Sequence, residues 1–223
     1  IDDETSVPTL CVKRTVDYYG FNGVDTKIYD YNYDGTRLLD WKFTRIKDND
    51  TTITTYTNVY TGDDITSMIV LRLDDIVETE TYYDFEYDNQ GRVTKQFKDN
   101  SLEYTYTYIG YYVEKYNADT VLVGEETYNA KNNNTQRKYM YGSTWETLNV
   151  THDNKNMPFK NVDSWYPLSG YRYISSNNTI QCNYSNGDST SMNISYDAHD
   201  FPTYIATSYS DGKSKSETLE YNN

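Results

Sequence analysis

The chain reads as an all-β protein, an antiparallel up-and-down meander of hairpins that closes into a soluble barrel or a strongly curled β-shell. Three observations predict this. Aromatic residues recur at every second position, turn-forming residues punctuate the chain at short intervals, and no segment carries the 3.6-residue periodicity of an amphipathic helix.

The alternation runs element by element. Tyr29, Tyr31 and Tyr33 share one strand face while Ile28, Asp30 and Asn32 take the other. Leu39, Trp41 and Phe43 continue the pattern, followed by Tyr83, Phe85 and Tyr87. Tyr104, Tyr106 and Tyr108 then alternate with Glu103, Thr105 and Thr107, and Tyr139 pairs with Tyr141. Between these runs lie Asp34-Gly35, Asp48-Asn49-Asp50, Gly62-Asp63-Asp64, Asp74-Asp75, Asn89-Gln90-Gly91, Asp99-Asn100, Asn132-Asn133-Asn134, Asn186-Gly187-Asp188 and Asp211-Gly212. Such residues tolerate left-handed backbone or bond their own backbone, as tight hairpins need. Parallel strands would require long crossovers that the sequence lacks. Strands of about 5–6 residues plus turns give roughly a dozen to sixteen strands, and closure removes the two vulnerable edges of so long a sheet. The face opposite the aromatics carries Thr, Asp, Glu, Asn and Lys, so the aromatic face is expected to point inward and the polar face to meet water.

Composition sets the limits. Only 36% of the 223 residues are hydrophobic and 27 are tyrosines, so tyrosine must supply buried area that Leu and Ile supply elsewhere. The length suits one domain: we expect residues 1–9 as a flexible tail and 10–223 as a single β domain, with a long loop around 142–171 folded over one barrel mouth. A net charge of −14 repels phosphate backbones and argues against a nucleic-acid partner. No run approaches the eighteen or so apolar residues of a spanning helix, and the abundance of aromatic and β-branched residues argues for a folded chain. The first residue, Ile1, is not an initiator methionine, which suggests a trimmed targeting segment with any membrane anchor upstream. Cys11 and Cys182 either pair as a disulfide in an exported protein or stand as two separate buried thiols.

Chemistry-bearing motifs are sparse. Asp30-x-Asn32-x-Asp34-Gly35 copies the start of a calcium loop, but an EF-hand needs Glu where Trp41 stands, and the residues fit a strand entering a turn. His152 and His199 both fall in turn motifs. With 34 acidic residues, a glycosidase-like carboxylate pair could be drawn almost anywhere, so that signal is empty. No cofactor or metal site is expected, and the chain is read as non-enzymatic, with a carbohydrate-active enzyme as a minor alternative. The aromatics Trp145, Trp165, Tyr166 and Tyr171, in the segment that breaks the strand rhythm, are the candidate ligand-binding residues, for a glycan or a partner protein. The alternative is a purely structural component whose aromatics only fill its core.

The segment Tyr87-Asp88-Asn89-Gln90-Gly91-Arg92-Val93-Thr94 resembles the YD repeat of Rhs-type cell-surface proteins. Tyr33-Asp34-Gly35-Thr36-Arg37-Leu38 is similar with one residue lost, and Tyr196-Asp197-Ala198-His199-Asp200-Phe201-Pro202-Thr203 keeps the opening while replacing Gly-Arg. Thr151 to Asn161 is similar to the Tyr-Asp-Asn-Lys-x-Asn-Pro-Phe phrase of secreted Bacteroidetes lipoproteins, with His152 standing for Tyr. Together these resemble a Bacteroidetes lipoprotein family of unknown function with a porin-like fold. The resemblance implies export, a lipid anchor upstream, and residence in the periplasm or at the outer membrane and cell surface. It carries no catalytic residues. Independently of the name, Asp88 is expected to cap its turn, Gly91 to take a positive φ, and Arg92 to lie along tyrosine rings.

Overall fold

The structure, a computed structural model, describes residues 8–20, 23–48, 50–74, 77–162 and 175–222. Among these lie sixteen antiparallel strands in one closed barrel, each paired with its sequence neighbours. The first half comprises β1 (Cys11–Gly20), β2 (Gly23–Asp34), β3 (Arg37–Lys47), β4 (Asp50–Thr61), β5 (Asp64–Asp74), β6 (Val77–Tyr87), β7 (Val93–Lys98) and β8 (Ser101–Ile109). The second comprises β9 (Tyr112–Asn117), β10 (Leu122–Tyr128), β11 (Asn134–Tyr141), β12 (Thr144–His152), β13 (Thr179–Tyr184), β14 (Ser189–Tyr196), β15 (Pro202–Tyr209) and β16 (Ser214–Tyr221). Pairing of β1 with β16 closes the ring, from Cys11 opposite Tyr221 to Tyr19 opposite Ser214.

Register carries one face around the circle. Directly opposed residues share a face, so the row Arg14, Tyr29, Phe43 and Thr54 is inward, as is Tyr31, Trp41, Tyr56 and Val70. This face holds the core of Leu38, Trp41, Ile65, Met68, Phe85, Val93 and Tyr106, with Tyr31, Tyr33, Tyr56, Tyr60, Tyr87 and Tyr108 packed against it. Trp41 stacks on Tyr56 at 4.5 Å between centroids. Not every tyrosine turns inward: Tyr82 and Tyr204 face out and are 46% and 43% exposed, and Ile46, Val59 and Leu73 interrupt the expected polar exterior. Outward positions of β6 and β16 include Glu78, Glu80, Asp84, Ser216, Thr218 and Glu220 beside Tyr82, whereas β4 and β5 turn Ile53, Ile69, Leu71 and Leu73 to the same face.

One local device repeats at the mouth where even strands end and odd strands begin. A bulge precedes Tyr33, Tyr60, Tyr87, Tyr128, His152 and Tyr196, placing one extra residue on the following strand. On β3 that residue is Leu39. The slip corrects the expected grouping of Leu39 with Trp41: it is Leu38 that turns in and is fully buried. Elsewhere the extra residue is often threonine, and Thr66, Thr94, Thr135 and Thr203 donate their hydroxyls to the carbonyls of Val59, Glu86, Thr127 and Ser195 across the bulge.

The tyrosines beside the bulges act as latches. Tyr33, Tyr60 and Tyr87 donate to the carbonyls of Cys11, Leu38 and Ile65, each 22 residues upstream at the start of the preceding odd strand. Tyr108 and Tyr221 reach Val93 O and Pro202 O in the same way. The hydroxyl that a buried tyrosine must satisfy thus ties adjacent strands around one rim. Toward the opposite mouth the inward positions Arg72, Thr79 and Lys98 are exposed, so among the described residues the inward face is packed toward one end and solvent-exposed toward the other.

Candidate functional site

The turns at the packed rim follow one plan. Asp88 Oδ1 accepts from the N–H groups of Gln90 and Arg92, and Gly91 takes φ 72°. Arg92 donates back to Asp88 Oδ2 at 2.7 Å and lies 4.4 Å from the centre of the Tyr108 ring, so all three roles expected of this segment appear. Burial opposes the charge on Asp88, but its bonds from Arg92 and Gln90 hold its carboxyl below the usual range. Asn129 accepts from Lys131 and Asn133 N–H, with Asn132 at φ 57° in the place of Gly91. Asp197 accepts from His199 and Phe201 N–H, with Asp200 at φ 65°. At Asp30, Asn32 and Asp34 the calcium-like run is strand β2, with Asn32 bonded to Asp40.

The turn after β12 departs from the plan. Asp153 Oδ1 takes the N–H of Lys155 as expected, but its second N–H comes from Asn178, and Asp153 N–H returns to Asn178 O. The intervening residues are an insertion within a single turn. Its outgoing limb crosses the packed mouth: Phe159 meets the Tyr31 ring edge-on at 5.2 Å, Asn161 donates to Thr9 O, Asn156 donates to His199 O, and Lys155 pairs with Asp200. Strand β12 takes the first part of the span expected as a loop from 142 to 171. The return limb is tied to the β10–β11 turn, where Asn133 Nδ2 donates to Asn177 Oδ1 and Asn177 N–H donates to Asn133 Oδ1.

Beside that limb the barrel wall forms a half-open pocket of about 170 Å³, lined by Glu126, Tyr128, Asn134, Arg137, Leu148, Val150, His152, Ser175, Thr179 and Cys182. The inward register of β10 to β13 assembles it, with Glu126 opposite Arg137, Arg137 opposite Leu148, Val150 opposite Cys182 and His152 opposite Thr179. Glu126 is 1% exposed and accepts from Arg137 Nε at 2.5 Å, Asn134 Nδ2 at 2.8 Å and the Tyr128 hydroxyl. A buried carboxylate needs such compensation. Burial pushes the Cys182 thiol upward, and it pulls His152 downward against the opposing charge of Asp153. Both shifts favour the uncharged forms, the thiol and the neutral imidazole, at neutral pH.

Of the aromatics singled out by sequence, Trp145 lies at the other end of β12 from the insertion, 39% exposed and opposite Met140. Trp165, Tyr166 and Tyr171 lie outside the described residues. Cys11 and Cys182 are free and buried; they sit on β1 and β13 with three strands between, roughly 19 Å along the sheet at about 4.8 Å per strand, too far to bridge. Sequence reasoning passed over Glu126, Asn134 and Arg137. The available signal was Glu126 in alternation with Tyr128, which places a carboxylate on the inward face.

No protein-family model matches this sequence, and no curated protein sequence matches it significantly. Solved structures that align with it include a porin-like protein from Bacteroides uniformis, 13% identical, with 97% of this chain and 100% of that chain covered at a TM-score of 0.48, and a porin-like protein from Bacteroides vulgatus, 11% identical, with 96% and 99% covered at 0.46.

Proposed function

We propose that the chain is a non-enzymatic binding module of an exported, envelope-associated protein. The observation that carries this reading is the half-open pocket beside the insertion, built on rigid strands and walled by side chains whose positions are set by register. Binding fits the site better than catalysis. Nucleophilic attack by Cys182 would need a thiolate, and burial opposes both that and a charged His152 to support it. The carboxylate of Glu126 is already engaged by Arg137, Asn134 and Tyr128. Export and a lipid tether in the periplasm or at the outer membrane rest on the resemblance of the Tyr87–Thr94 and Thr151–Asn161 segments; radiolabelled palmitate should enter the full-length gene product in its native host.

The binding reading is tested by a thermal-shift screen of sugars and other small molecules against the wild type and Leu148→Trp, whose indole fills the pocket. Val150→Phe serves the same purpose should the first variant fold poorly. Ligands that raise the melting temperature of the wild type and lose the effect in the filled variant support the reading. No ligand, or ligands indifferent to the filling, would overturn it.

A further inference from the structure

We infer that the outer wall of β3–β6 is a self-association surface, on which two copies of this chain pack face to face about a two-fold axis running along the strands between β4 and β5. This wall lies across the ring from the pocket on β10–β13 and does not depend on the binding reading.

Directly opposed residues form rows across the wall. One row reads Lys42, Thr55, Leu71 and Glu80; the next reads Thr44, Ile53, Leu73 and Glu78; on the other side lies Asp40, Thr57, Ile69 and Tyr82. The two central strands thus present only threonine and aliphatic side chains, with Leu73 40% exposed, and every charge in these rows sits on the flanking strands. An apolar centre inside a polar rim is the anatomy of a protein interface, and a contiguous exposed apolar patch marks a contact surface. Lipid fits it less well. A lipid-facing barrel carries its aliphatic band all the way round, whereas here the rows run into Glu78 and Glu80 on one side and into Asp30, opposite Lys42, on the other. Pairing through a strand edge is closed off as well, because β1 pairs with β16 and leaves no edge. A partner must therefore take a face.

The order of the charges selects a second copy. Rotation about the line between β4 and β5 keeps height along the strands and exchanges the flanks, so β3 of one copy meets β6 of the other. Lys42 then faces the partner's Glu80, Thr44 faces the partner's Glu78, and Asp40 faces the partner's Tyr82. No row sets like charge against like. Among the described residues neither Lys42 nor Glu78 is engaged in an ion pair of its own chain. Curvature favours the same arrangement: two convex walls touch first along the centre line, where the side chains are short, and the long Lys42 and Glu80 reach across the widening gap at the flanks. With Ile46 and Thr51 at one end and Val59 and Ser67 at the other, sixteen positions at about 35 Å² each bury roughly 1,100 Å² in all, the low end for a specific interface. The dimer is accordingly weak and reversible.

Sedimentation velocity on the whole chain tests this. The average mass should rise from one chain toward two, with a midpoint on the order of 10–100 μM. Leu71→Glu, which puts a carboxylate at the centre of an outward face, should stay monomeric throughout. Lys42→Glu and Glu80→Lys each bring like charges together at both symmetry-related contacts and should weaken the dimer about tenfold, and the double exchange should restore it to within about threefold. A wild type that stays monomeric up to about 1 mM, a dimer indifferent to Leu71→Glu, or a double exchange no better than the single ones would overturn the proposal. So would flotation of the monomer with phosphatidylcholine vesicles that Leu71→Glu abolishes, which would give the face to lipid.

Discussion

The tyrosine latches allow a quantitative test with an internal control. Tyr87 donates to Ile65 O at 2.5 Å and Tyr60 donates to Leu38 O at 2.5 Å, so the two bonds are equivalent in geometry. Their surroundings differ. Leu38 O also accepts from Asn58 Nδ2 at 2.8 Å, whereas among the described residues no second side chain donates to Ile65 O. Replacing either tyrosine by Phe keeps the ring in the core and removes only the hydroxyl. Loss of a typical hydrogen bond costs about 1 kcal/mol, and stranding its partner raises this toward about 1–3 kcal/mol. We therefore expect about 2 kcal/mol for Tyr87→Phe and about 1 kcal/mol or less for Tyr60→Phe, where Asn58 still serves the acceptor. At about 2–4 °C per kcal/mol for a chain of this size, the melting temperatures should fall by about 6 °C and about 3 °C. Urea unfolding at a common m-value separates the two. If Tyr87→Phe costs no more than Tyr60→Phe, the latches do not contribute through their hydroxyls and the argument fails.

Other consequences follow from particular side chains. Thr120 sits at φ 60° in a turn where its side chain is exposed, and a β-branched residue there is strained by roughly 1–2 kcal/mol; Thr120→Gly should raise stability by about 1 kcal/mol in urea unfolding. At Gly91 the reverse holds, since an added Cβ meets only Asp64 Oδ1 at 3.9 Å: Gly91→Asn should be nearly neutral, as Asn132 already shows this conformation, and Gly91→Val should cost about 1–2 kcal/mol. At the closing seam Glu217 is buried, which opposes its charge, but Arg14 at 2.7 Å and Lys215 at 2.7 Å hold its carboxyl below the unfolded value of 4.5. Its stabilisation is thus complete above about pH 4.5 and is lost as pH falls through the lower folded value, so Glu217→Gln should flatten the acid limb of a stability profile measured by urea titration. Cys11, with its thiol pushed up to about 12 mainly by burial, should resist iodoacetamide at pH 8 until denaturant is added, and rapid labelling of the folded chain would contradict its placement.

Much of the plan was written locally. Alternating aromatics gave the inward face, because residues two apart on a strand must point the same way, and the Asp, Asn and Gly clusters gave the hairpins, because only certain residues accept the required backbone angles. Asp88 and Gly91 could be assigned roles before any coordinates. Other copies were harder to recognise because the geometry recurs with different residues: Asn132 and Asp200 occupy the place of Gly91, and His152 occupies that of a latch tyrosine. The bulges were invisible, since one extra residue in a strand leaves no local mark; this is why Leu38 rather than Leu39 is the buried partner.

Local residue patterning therefore determined strands, turns and which face is apolar, all properties that depend on neighbours within a few positions. The tertiary structure alone decided the rest. Closure joins Cys11 to Tyr221 across nearly the whole chain, and the Asp153 turn is completed by Asn178, 25 residues further along the sequence. Glu126, Asn134, Arg137 and His152 line one pocket because four strands lie side by side in a particular register. Such contacts arise from how strands pair around a ring, and no stretch of sequence a few residues long contains that information.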